Sequence, residues 1–438
     1  MQGFEFVIAG EDGDARAGVI RTPHGDINTP TFTVVGTHGH VKFLPPAVLR
    51  LIGTQAMLCN GYHLFRHSDR VFREGGIAAA FGWDGPTITD SGGFQAMSLG
   101  SGLGKVVSMD RIDIANPQRP TPVEDRLARV TDEGVLFRHP TDGRLDLFTP
   151  EVSIKAQFRL GADIIMAFDE LTSIGDSYEY NITALTRTEK WAERSLKCIR
   201  ELQAEHPSKP YQALYGILQG AHYQDLREST AAVLGSMAFD GYGLGGAFEK
   251  EQLGDILKWT NSILPKNKPR HLLGLARPDD IFVGVAAGID TFDCVSPTRE
   301  ARHGRLYTKD GHINLMNSEY KDNPNPIEKG CDSPTCDLNG LILASKRSCG
   351  SAFGSAQDDG GVVFGSAQEG FYPQNHIPVS EIRRLLRSHS QEEKQLGYLY
   401  TSQHNVRFIL RLMEDIRTSI LTHTFNEFRK EWLSRYYA

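Results

Sequence analysis

Short alternating apolar and polar runs fill residues 4–36 and break at Gly10-Glu11-Asp12-Gly13 and Pro23-His24-Gly25-Asp26, which predicts β-hairpins. Beyond them, compact apolar runs at 32–36, 56–60, 86–90, 163–169, 213–219, 239–245, 271–274 and 290–295 read as strands. Amphipathic stretches at 182–205, 222–236 and 250–264 separate the later ones. Eight strands with intervening helices predict an α/β fold, a (β/α)8 barrel of the TIM type. Three regions stand outside this count. Residues 101–131 form a long polar loop with Pro117, Pro120 and Pro122. Residues 337–378 are rich in Gly, Ser and Ala and carry a near-repeat starting at Phe353 and Phe364. Over 391–437 the apolar positions Val406, Ile409, Leu410, Met413, Ile416 and Ile420 keep helical spacing.

Polar or glycine residues follow each strand at its C-terminal end, where barrels of this kind build their sites. Asp90, Asp169, Gln219 and Asp293 all fall there. One such residue would be an ordinary cap or turn, but four at comparable positions point to a site. Asp90 and Asp293, about 200 residues apart in the chain, could divide nucleophilic and acid/base work between two carboxylates.

Composition excludes several classes. With 438 residues, 40% hydrophobic and 23% charged, the chain reads as globular. No apolar run reaches the roughly 18 residues a membrane helix needs, and the first residues lack a secretory pattern. Six cysteines do not suggest a disulfide scaffold, so a reducing, cytoplasmic setting is expected. A net charge of −7 advertises no global affinity for nucleic acid. Arg299, Arg302 and Arg305, with Lys309 behind them, therefore stand out as a local basic cluster. They read as backbone contacts to a nucleic acid or as a solvated basic surface.

The segments Asn60-Gly-Tyr-His-Leu64, Thr89-Asp-Ser-Gly-Gly-Phe-Gln95, Met166-Ala-Phe-Asp-Glu170, Gly216-Ile-Leu-Gln-Gly220, Leu244-Gly-Gly-Ala247, Phe292-Asp-Cys-Val-Ser-Pro-Thr-Arg299 and His404-Asn405 occur in this order. Together they resemble the tRNA-guanine transglycosylases, which exchange anticodon guanine for a 7-deazaguanine base such as preQ1 or queuine. The resemblance runs from about residue 4 to 420. It implies a pentosyltransferase with Asp293 as nucleophile, forming a covalent ribosyl-enzyme intermediate, and Asp90 as general acid/base. It implies a base pocket of Ser91, Asp169, Gln219, Gly246 and Ala247, with Phe94 and Leu273 stacking on the ring. For Leu273, plain core packing is the other reading. Arg299, Arg302 and Arg305 would contact the anticodon loop, and a homodimer is implied.

The family's zinc site reads Cys-x-Cys-x-x-Cys with a histidine on a nearby helix. Here Ser333 takes the middle cysteine's place in Cys331-Asp-Ser-Pro-Thr-Cys336, and serine is a poor zinc ligand beside thiolate. Cys349 could supply the missing thiolate, giving zinc the set Cys331, Cys336, Cys349 and His389. The implied layout is a catalytic barrel with hairpins over 1–310, a zinc-binding-like subdomain over 311–400, and C-terminal helices over 401–438 that pack back on the barrel. Two other functions stay open: base exchange in DNA, and a non-catalytic subunit that only binds tRNA.

Overall fold

The computed structural model describes residues 3–93, 128–138, 145–337 and 376–438. Phe94, Cys349 and most of the stretches 101–131 and 337–378 lie outside the described residues. The chain divides into two compact units. The first comprises Met1–Val41, Gln55–Val295 and Met413–Arg429; the second comprises Lys42–Thr54, Ser296–Leu412 and Lys430–Ala438. The change of unit falls between Val295 and Ser296, and the helical C-terminal region is shared between the two.

The first unit opens with an antiparallel sheet of β1 (Glu5–Asp12), β2 (Ala15–Thr22) and β3 (Gly25–Thr29), where hairpins were expected. The barrel strands follow: β4 (Thr31–Val35), β5 (Met57–Cys59) and β6 (Thr87–Thr89). A small sheet of β7 (Ala128–Val130), β8 (Val135–Arg138) and β9 (Leu145–Phe148) interrupts the series. Next come β10 (Ile164–Met166), β11 (Ala213–Leu218), β12 (Gly241–Leu244), β13 (Arg270–Leu272) and β14 (Thr291–Cys294). Strands β4, β5, β6 and β10 to β14 close into a parallel barrel. All eight coincide with the predicted apolar runs, because strands buried on both faces lose alternation and read as continuous apolar segments.

Ile20 and Ile27 from the N-terminal sheet share one buried cluster with Ala56, Leu58, Ile88, Ile164, Ala213 and Tyr215 of the barrel. Burying side chains of this size stabilises by about 1.5–3 kcal/mol each. Arg16 of β2 makes a buried two-pronged pair with Asp290, at 2.9 Å from Nε to Oδ1 and 2.5 Å from Nη2 to Oδ2. Asp290 also accepts the Arg270 backbone N–H at 2.6 Å. The starts of β13 and β14 are thus clamped together, which fixes the two strands that carry part of the site.

In the second unit, β15 (Arg305–Thr308) and β16 (Gly311–Asn314) form a hairpin. Its core gathers Leu306, Leu315, Ile327, Cys331, Cys336 and Ile382. The predicted C-terminal helical region resolves into helices Gln391–Leu421 and Phe425–Tyr436. Among the described residues no helix is long and apolar enough to cross a membrane.

Candidate active site

Asp90 follows β6, and three donors hold its carboxylate. The Asn60 side-chain amide donates to Oδ2 at 2.7 Å, and the backbone N–H groups of Gly61 and Gly92 donate to Oδ1 at 2.8 and 3.1 Å. Asn60 Oδ1 in turn accepts the His63 N–H at 2.9 Å, capping the short helix Gly61–Phe65. Gly61 is required by space, since a Cβ there would lie 2.4 Å from the Asp90 carbonyl oxygen. Asp90 keeps part of its surface open while protein packs around the rest. Burial, helped by the charge of Asp293, pushes its carboxyl up to about 7 against the pull of the three donors.

Asp293 lies in β14 and is 9% exposed. Its Oδ1 accepts the Gly274 N–H at 2.9 Å and contacts His271 Nε2 at 3.1 Å. The nucleophile candidate is thus fixed from the neighbouring strand and the turn after it.

Asp169, after β10, joins the expected base-pocket residues into one network. Ser91 donates its hydroxyl to Oδ1 at 3.1 Å and Gln219 its amide to Oδ2 at 2.7 Å. Burial raises the Asp169 carboxyl to about 6, with the Gln219 and Ser91 hydrogen bonds opposing it. Gln219 Oε1 is buried without a partner among the described residues. Such an acceptor carries a desolvation cost of about 1–3 kcal/mol, which a ligand N–H would relieve. Gly246 adopts φ +125°, and a Cβ there would meet Arg227 Nη2 at 2.4 Å and Gln219 Oε1 at 3.3 Å. Leu273 lies beneath Gly245, 3.2 Å from where its Cβ would be, and also packs on the barrel core. Ala247 is half-buried beside them.

Residue-by-residue reading missed Arg227, which is fully buried. Its Nε donates to the Ala221 carbonyl and its Nη1 to the Gly245 carbonyl, both at 2.8 Å. The guanidinium therefore ties the turn after β11 to the turn after β12, and burial lowers its pKa to about 9. Only the carbonyl geometry reveals this, because a helix arginine in sequence looks like a surface residue.

In the second unit, Arg299 and Arg302 lie on helix Ser296–Arg302 and Arg305 opens β15. Arg305 is exposed and pairs with Glu300 at 3.3 Å, while Arg302 is half-buried with Nη1 lacking a partner among the described residues.

The same unit brings Cys331, Cys336 and His404 together, with their ligand atoms all within 4.8 Å of one another. Zinc–sulfur bonds of about 2.3 Å and zinc–nitrogen bonds of about 2.0–2.1 Å set a tetrahedral S···N edge of about 3.6 Å. His404 Nδ1 lies 3.7 Å from Cys331 Sγ and 3.4 Å from Cys336 Sγ. Its other nitrogen, Nε2, is 2.8 Å from the Tyr307 carbonyl, which holds the proton there and turns the Nδ1 lone pair toward the sulfurs. These residues fit a tetrahedral metal centre. His389, expected as the histidine ligand, is instead exposed in the connection after helix Val379–Arg387. The histidine that does reach the cysteines, His404, lies on the fully buried face of the following helix, with Thr401, Ser402 and Asn405. Ser333 is fully buried between the two cysteines, its N–H donates to Cys331 Sγ at 3.4 Å, and its hydroxyl oxygen has no partner among the described residues.

A family model described as queuine tRNA-ribosyltransferase matches residues 12–340 and 379–438. The chain belongs to the queuine tRNA-ribosyltransferase family. Membership makes it a pentosyltransferase, and the match omits the Gly/Ser-rich stretch from 341 to 378. The queuine tRNA-ribosyltransferase of Roseiflexus sp. is 38% identical over 432 residues, covering 96% of each chain. That of Thermosipho africanus is 36% identical over 441 residues, covering all of both chains. That of Herpetosiphon aurantiacus is 35% identical over 441 residues, covering 100% of this chain and 93% of the relative.

Proposed function

We propose that this enzyme exchanges guanine in a tRNA anticodon for a 7-deazaguanine base, preQ1 or queuine, through a ribosyl-aspartate intermediate. The observation that carries this reading is that Asp90 and Asp293 stand at the C-terminal ends of strands of one closed barrel, each held by backbone N–H donors. Asp293 attacks C1′, the C1′–N9 bond breaks, and N9 of departing guanine takes the proton from Asp90. The incoming base then gives its N9 proton to Asp90 as it displaces Asp293. A group poised near neutrality suits both directions of this transfer.

Asp169 accepts from the N–H edge of the guanine-like ring, and the orphaned Gln219 Oε1 takes another N–H. Ser91, Gly246 and Ala247 complete the pocket, with Leu273 on one ring face and Phe94 on the other. The basic residues Arg299, Arg302 and Arg305 hold anticodon-loop phosphates. The protein works as a cytoplasmic homodimer. Labelled guanine offered with tRNA or with DNA tests the substrate. Incorporation into tRNA alone supports the reading, incorporation into DNA alone replaces it with DNA base exchange, and incorporation into neither leaves a binding subunit.

The acid form of Asp90 is needed to expel guanine, so guanine release falls as pH rises through about 7, by about tenfold per unit above it. The Asn60 hydrogen bond lowers the Asp90 pKa. Asn60→Ala therefore moves this alkaline limb to higher pH, which single-turnover release of labelled guanine at a series of pH values measures. An unmoved limb would separate Asp90 from the proton transfer.

Cys331, Cys336 and His404 would hold the metal, and their thiolate and imidazole donors suit a structural zinc, with Ser333 standing where the family's middle cysteine would be. A third thiolate is a far better donor than a hydroxyl, so Ser333→Cys tightens zinc by at least about tenfold in chelator competition. Cys349→Ala decides on the expected further thiolate: lost affinity would make Cys349 the fourth ligand, and unchanged affinity would remove it from the set.

A further inference from the structure

We propose that His271 is the positioning residue of the nucleophile, holding Oδ1 of Asp293 so that Oδ2 attacks C1′ and later leaves it. The inference rests on Asp293 being the nucleophile. Strands β13 and β14 are parallel with His271 opposite Thr291. Asp293 lies two residues beyond Thr291 and so points to the same face. The imidazole is fully buried between them, with Nδ1 2.8 Å from Thr291 Oγ1 and Nε2 3.1 Å from Asp293 Oδ1.

Chemistry assigns the protons. A carboxylate facing Nε2 requires a proton on that nitrogen, because a lone pair would repel it. That leaves Nδ1 facing the Thr291 hydroxyl, whose hydrogen bond sets the ring's orientation and tautomer from behind. The Gly274 N–H donates to the same oxygen at 2.9 Å. Among the described residues both donors to Asp293 thus fall on Oδ1, and Oδ2 receives none.

This asymmetry has a use in each half of the reaction. In the first, an Oδ2 lone pair forms the bond to C1′, the C1′–N9 electrons leave with guanine, and Asp90 supplies its proton. Oδ1 becomes the carbonyl oxygen of the ribosyl ester, still held by His271 and Gly274. In the second, N9 of the incoming base bonds to C1′, the C1′–Oδ2 electrons return to the carboxylate, and Asp90 takes the N9 proton. Negative charge grows back on a carboxylate already facing two donors, which favours that departure.

The test compares His271→Leu, His271→Gln and Thr291→Val under saturating tRNA and base. A hydrogen bond to an ionised group predicts that His271→Leu lowers kcat by about 10- to 100-fold with little change in KM. His271→Gln, whose amide can also donate to Oδ1, restores most of that rate. Thr291→Val slows the parent enzyme but not the His271→Gln variant, because a glutamine amide needs no tautomer set for it. Equal losses in the Leu and Gln variants, or an additive Thr291→Val effect in both backgrounds, would overturn the proposal. If His271→Leu fails to fold, the cycle of His271→Gln and Thr291→Val decides alone. An Asp293→Ala control that retains exchange would defeat the nucleophile assignment instead, whatever the histidine variants do.

Discussion

Asp293→Asn stops base exchange, lowering kcat by about 10⁴-fold or more while the barrel stays folded. The amide keeps the volume of the carboxylate and can still accept the Gly274 N–H at its oxygen. What it loses is the negative oxygen that, in the proposed mechanism, bonds to C1′. The two other carboxylates expected in the site are already engaged: Asp90 is tied on both oxygens by Asn60, Gly61 and Gly92, and Asp169 by Ser91 and Gln219. Incorporation of labelled guanine into tRNA, read beside the thermal transition of the same sample, separates lost chemistry from lost fold. Exchange at more than a few per cent of the parent rate would mean that Asp293 does not form the bond.

The second large effect concerns the metal centre. Cys331, Cys336 and His404 sit inside the apolar core of the second unit, beside Leu306, Ile327 and Ile382. Without a cation, two thiols and an imidazole occupy space that has almost no water to solvate them. Binding a structural zinc is worth on the order of 10 kcal/mol in small zinc domains, comparable to the whole stability of a typical fold. His404→Ala or Cys336→Ala should therefore release the proposed zinc and lower the unfolding temperature of this unit markedly, as should a strong chelator. His389→Ala should do neither. Elemental analysis with calorimetry reads both outcomes, and full zinc content in His404→Ala would remove that residue from the ligand set.

The barrel was legible in the sequence because each of its strands is buried on both sides. An unbroken apolar run such as Ile164–Met166 or Ala213–Leu218 is too short for a buried helix, and with helices on either side it fits a parallel strand. Asp90, Asp169, Gln219 and Asp293 were legible for a related reason, since a polar residue ending such a run must have a partner or a task. His271 was not, because it sits within a strand where a histidine is more often a satisfied core residue than a partner of the chemistry. Its meaning appears only when the parallel register sets it across from Thr291. His404 was missed because His389 stands nearer to the cysteines along the chain beyond the 337–378 stretch. Its position on a buried helix face, and the Tyr307 carbonyl behind it, become visible only in three dimensions. The unit boundary after Val295 follows contacts between distant segments, which no local pattern encodes.

The most direct test of two acids acting on one nucleoside is to trap the enzyme on its RNA. The protein is mixed with an anticodon stem-loop, quenched in denaturant and digested, and the modified peptide is sequenced by mass spectrometry. The nucleotide should be found esterified to Asp293, on the peptide containing Thr291–Cys294, with no adduct on Asp90. An adduct on Asp90, or steady exchange with no adduct at any residue, would contradict the account.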